Sequence, residues 1–113
     1  MRKSDKKFEN ELRKSLTRLC ENEFERLNGF RWLTHKVNYP NIQSSLKVVC
    51  VFDTNDNLEL FLSSTDKPEV EAQILKVISQ LSVKLKNVQN QLVFDSEENC
   101  NHVNSGNWAE RLA

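Results

Sequence analysis

Between Leu46 and Leu62 the chain reads LKVVCVFDTNDNLELFL, and no other stretch limits the possible folds as tightly. Leu46, Val48, Cys50 and Phe52 alternate with Lys47, Val49, Val51 and Asp53, the period of a β-strand. Leu58, Leu60 and Leu62 alternate in the same way with Glu59, Phe61 and Ser63. The segment is therefore predicted to be a β-hairpin turning at Asp53 to Asn57, where Asp, Thr and Asn bond locally to the backbone. One face of this hairpin is wholly apolar. The other carries Val49, Val51 and Phe61 among charges, so it too needs a cover.

The flanking sequence supplies the covers. Residues 5–28 place Phe8, Leu12, Leu16, Leu19, Cys20 and Leu27 on one side of a 3.6-residue wheel, which predicts an amphipathic helix stopped by Asn28-Gly29. Residues 30–39, FRWLTHKVNY, are rich in aromatic and β-branched side chains and predict a first strand. Val70, Ile74, Val77, Ile78, Leu81, Leu85 and Val88 form one stripe of a second helix, capped at Thr65 or Asp66 with Pro68 in its first turn. Gln91 to Asp95 predicts a short fourth strand, and Asn107 to Glu110 a last helical turn that packs Trp108 and Leu112. The expected order is α-β-β-β-α-β: an α+β two-layer sandwich, with two amphipathic helices on one face of a small, largely antiparallel sheet. One domain spans residues 1–113, ending in a polar C-terminal segment, 96–113, whose mobility the sequence leaves open.

No apolar run approaches the about 20 residues of a membrane helix, and MRKSDKKF opens no signal-peptide core, so a cytoplasmic protein without membrane contact is expected. Cys20, Cys50 and Cys100 are odd in number and far apart, which favours free thiols in a reducing compartment over a disulfide framework. The formal net charge is zero, yet residues 1–50 carry 11 Lys/Arg against 6 Asp/Glu, and residues 51–113 carry 5 against 10. That asymmetry suits an anionic partner for the first half, or head-to-tail self-association.

The αβββαβ order resembles the nuclease core that carries the PD-(D/E)-x-K signature, in which two carboxylates hold a metal and a lysine supports the attacking water. The resemblance is in element order alone: the third-strand slot reads Glu59-Leu60-Phe61, without the lysine. Asp53, Asp56 and Glu59 belong to and beside a turn, where acidic residues are expected for conformational reasons. Cys100 and His102, with His35 as a distant third ligand, match no common zinc spacing. Gly29 and Gly106 form no phosphate loop. No catalytic residue, metal site or cofactor is expected.

Two surfaces remain. The first reading is a small non-enzymatic protein that binds a macromolecule, itself as a homodimer or another protein, with Val49, Val51, Phe61 and Trp108 at the interface. The alternative is nucleic-acid binding. Lys3, Lys7, Lys14 and Arg18 line one side of the first helix, followed by Glu21 and Glu25, while Arg31, Trp32, His35, Lys36 and Tyr39 interleave basic and aromatic residues on the first strand. The plainer view of both is a water-facing stripe and an edge strand guarded by charge. A degenerate metal-dependent nuclease-like fold stands third.

Overall fold

In the computed structural model, which describes residues 2–113, helix α1 (Lys3–Asn22) is followed by a 3-10 turn (Phe24–Arg26) and strand β1 (Phe30–Lys36). A second 3-10 turn (Tyr39–Asn41) and the short α2 (Ile42–Ser45) lead into β2 (Lys47–Phe52). Helices α3 (Asn55–Leu62), α4 (Asp66–Gln80) and α5 (Val88–Gln91) carry the chain to β3 (Leu92–Ser96), and α6 (Glu97–Asn104) and α7 (Trp108–Arg111) complete it. The fold is mixed α+β, with an element order close to the expected one. No helix is long and apolar enough to cross a membrane among the described residues.

The expected hairpin is half right. Its first arm is β2, but the returning arm is α3, because Thr54 acts as a helix cap: its hydroxyl accepts the Asn57 N–H at 3.2 Å. Leu58 and Phe61, three apart, enter the core together, as helical spacing requires and strand alternation forbids.

The sheet has the order β1-β2-β3 and is mixed rather than largely antiparallel. β2 pairs antiparallel with β1 and parallel with β3, Val48 facing Leu92 and Cys50 facing Phe94. A parallel pair needs a crossover, and α3 to α5 provide it. Gln91 is buried where the crossover returns: its amide donates to the Gln43 and Leu46 carbonyls, both at 2.9 Å, tying the start of β3 to the start of β2.

The register sorts the side chains. Val48, Cys50 and Phe52 share one face with Leu33 and Leu92, and pack against Leu12 and Leu16 of α1 and Val70, Ile74 and Ile78 of α4. Phe61 of α3 joins them, 4.8 Å from Phe52 and 5.1 Å from Phe94 between ring centroids. The second long helix is shorter than its apolar stripe implies: Ser82 adopts φ 63°, ending α4, and Leu85 and Val88 reach the core from beyond the helix.

Gly29 sits at the junction of the first helical segment and β1 with φ 81°, and its carbonyl accepts the Asp53 N–H at 2.9 Å. A Cβ there would lie 2.5 Å from Asp53 Oδ1 and 2.6 Å from Asn57 Nδ2. Gly29→Ala is expected to destabilise the fold by about 2 kcal/mol, read as a lower urea midpoint at constant slope. A midpoint equal to wild type would show that the Asp53–Asn57 contact yields freely.

Candidate interaction surface

Val49, Val51, Val93 and Asp95 lie on the second face of the sheet, together with Trp32, Thr34 and Lys36 of β1. The C-terminal segment covers them. The Arg111 guanidinium donates to both Asp95 oxygens, at 2.6 and 3.0 Å, and to Asn104 Oδ1 at 3.1 Å. Lys36 Nζ donates to the Leu112 carbonyl at 2.7 Å, and Trp108 packs edge-on against Trp32 at 4.8 Å. Burial pushes the Asp95 carboxyl up, but Arg111 and the Ser96 N–H outweigh it and hold the carboxyl below the usual aspartate range.

This arrangement corrects the expected interface. Val49 is 1% exposed and Val51 0%, both under their own C-terminus, while Phe61, at 5%, belongs to the opposite core. Trp108 is itself half-buried on Trp32. Those four residues offer a second copy no common surface, and segment 96–113 carries two helices, α6 and, close to the expected last turn, α7. The signal in the sequence was parity: Asp95 falls on the same strand face as Val93, and a carboxylate there calls for a cation from whatever covers it.

The aromatic and basic residues of the first strand are spent in the same way. Trp32 and Lys36 hold the C-terminus, and Arg31 pairs with Glu97 at 3.4 Å. Tyr39 Oη donates to Glu9 Oε2, and His35 Nε2 lies 2.8 Å from Glu9 Oε1, so both fasten α1 to the sheet. Burial raises the Glu9 carboxyl, but hydrogen bonds from Tyr39 and His35 and the charge of His35 bring it below the usual glutamate range. Trp32, His35 and Tyr39 are each half-buried in these contacts.

The nuclease-like order dissolves with the third strand, since Glu59-Leu60-Phe61 is helical. Cys100 is buried and His102 exposed, so the two do not converge. Burial pushes the Cys50 thiol up, the direction opposite to that of a nucleophile. At the C-terminal ends of β2 and β3 a cleft gathers Arg31, Asp53, Glu97, Glu98 and His102, but most of these groups serve the fold. Glu98 accepts the Asn55 N–H at 2.9 Å, and Asp53 accepts the Thr54 N–H at 2.6 Å and the Asn57 amide at 2.9 Å. Among the described residues no three His, Cys, Asp or Glu side chains group to hold a metal ion.

The outer face of α1 is different. Lys3, Lys7, Lys14 and Arg18 are all exposed and fall within one narrow arc of the helix, spanning about 22 Å at the helical rise. None has an ion-pair partner within 4.0 Å among the described residues, and neither has Lys6, whereas Arg13 of the same helix is paired with Glu9, and Arg2, just before the helix, with Asp5. Glu11 beside the stripe and Glu21 at its end temper it without closing it.

Compared with protein family models, curated proteins and solved structures, the chain matches none.

Arg111→Ala is expected to cost about 2 kcal/mol, since it strands the nearly buried Asp95, and to red-shift tryptophan emission as Trp108 lifts from Trp32. Unchanged emission would mean that the C-terminus is held by its other contacts. A carboxyl with a depressed folded pKa contributes stability that is fully present above its unfolded pKa, about 4.3 for glutamate, and lost as pH falls through the lower folded value. Glu9→Gln should therefore flatten that part of the acid limb of a stability-versus-pH curve, and an identical limb would remove Glu9 as its source.

Proposed function

We propose that the protein is a non-enzymatic binding protein whose working surface is the outer face of α1, and that its partner is the phosphate backbone of a nucleic acid. The observation that carries this reading is the set of four exposed cations, Lys3, Lys7, Lys14 and Arg18, in one line on a helix and without an ion-pair partner among the described residues. A row of mobile cationic side chains neutralises phosphates by displacing counterions and reads no sequence. With Trp32 and Tyr39 half-buried and engaged with Trp108 and Glu9, the binding proposed is electrostatic and does not call on base stacking. Three unpaired cysteines fit a reducing compartment, the cytoplasm.

Titration of a fluorescent duplex oligonucleotide at several salt concentrations tests the reading. Four phosphate contacts give a log–log slope of about −3.6, and Lys7→Glu/Lys14→Glu should lower it by about 2 while weakening binding at every sequence tried. A salt-independent signal, or a double variant that binds as well as wild type, would falsify it.

A further inference from the structure

From Asp53 to Asp66 the chain carries four carboxylates and no lysine or arginine. Folded, this stretch is α3 with its flanks, and α3 turns two apolar side chains outward: Leu60 is 64% exposed and Leu62 40%. Leu58 and Phe61 supply what the core needs, so the outward leucines contribute little to folding. Leu60 is the wall shared by two adjoining grooves, one reaching Leu27, Phe52 and Phe61, the other bordered by Asp56, Glu59 and Ser63. Asp56 and Glu59 have no ion-pair partner among the described residues, whereas Asp66 is held by Arg26 at 3.0 Å.

A leucine ridge beside free carboxylates is complementary to long cationic side chains, whose aliphatic stems cover apolar surface while their charged ends reach the acids. α1 of this same chain presents such side chains, exposed and without ion-pair partners among the described residues. We propose that α3 docks the α1 face of a second copy, Lys7 and Lys14 lying against Asp56, Glu59 and Leu60. The two surfaces differ, so the contact is heterologous: it adds copies in a row or ring instead of closing a two-fold pair. It also accounts for the placement of opposite charge in the two halves of a chain with no net charge. Association of this kind is weak and salt-sensitive, because the charges that steer it stay near water.

The test is sedimentation of the full chain with no nucleic acid present, so that failure of the phosphate-binding reading leaves the result untouched. At low salt and protein on the order of 1 mM, the weight-average mass should exceed the 13.2 kDa monomer and return to it near about 1 M salt. Asp56→Lys/Glu59→Lys and Lys7→Glu/Lys14→Glu should each be monomeric with native circular dichroism, all four positions being exposed. An equimolar mixture of the two variants should associate again, since each carries the complement of the other. A wild type that stays monomeric, a variant that associates like wild type, or a mixture of folded variants that stays monomeric overturns the proposal. Binding of a basic peptide to α3 without self-association overturns the choice of occupant.

Discussion

Everything else in the fold answers to β2. From Val48 to Phe52 the strand is apolar on both sides, and a strand of that kind is stable only in the middle of a sheet with a cover on each face. Its neighbours β1 and β3 take up its backbone groups on either edge. α1, α3 and α4 answer for Val48, Cys50 and Phe52, and the C-terminal segment answers for Val49 and Val51. The polar groups hold these covers in place: Glu9 fastens the first, through His35 and Tyr39, and Asp95 fastens the second, through Arg111.

The parts of the fold that could be read from the residues are those with a single dominant period. The run in β2, the leucine stripe of α1 and the Val70–Ile74–Ile78 stripe of α4 allow one interpretation each. LELFL does not. Its leucines fit a period of two and its Leu58–Phe61 pair fits a helix, so the decision passed to the residues before it, where Thr54 bonds forward to Asn57. Reading Asp53 to Asn57 as a turn recognised the local bonding but missed that it starts a helix. With α3 a helix, the chain has the crossover that a parallel β2–β3 pair needs, and the direction in which β3 then runs follows from no local pattern.

The surfaces were less legible than the core, for a related reason. The alternation along β2 says that Val49 and Val51 need a cover, but periodicity does not say whether the cover comes from the same chain. The deciding pair, Asp95 and Arg111, spans elements whose packing is set by the tertiary fold. Conversely Lys3, Lys7, Lys14 and Arg18 kept the exposed character their spacing implied, because a helix buried on one stripe leaves its opposite arc to solvent. Charge on a long helix could therefore be placed from sequence. Charge on a short strand between two covers could not.

The parallel pairing of β2 and β3 carries an entropic asymmetry. Lys36 meets Lys47 across a short connection, while Val48 meets Leu92 only after the whole α3–α5 crossover has been gathered in. Loop-closure cost grows with the logarithm of length, so the longer connection takes little from the final stability and weighs mainly on the rate of assembly. Until it closes, β2 has one partner and a bare hydrogen-bonding edge beside its most apolar residues. The interval between those two pairings is when this chain is most exposed to pairing with the wrong strand.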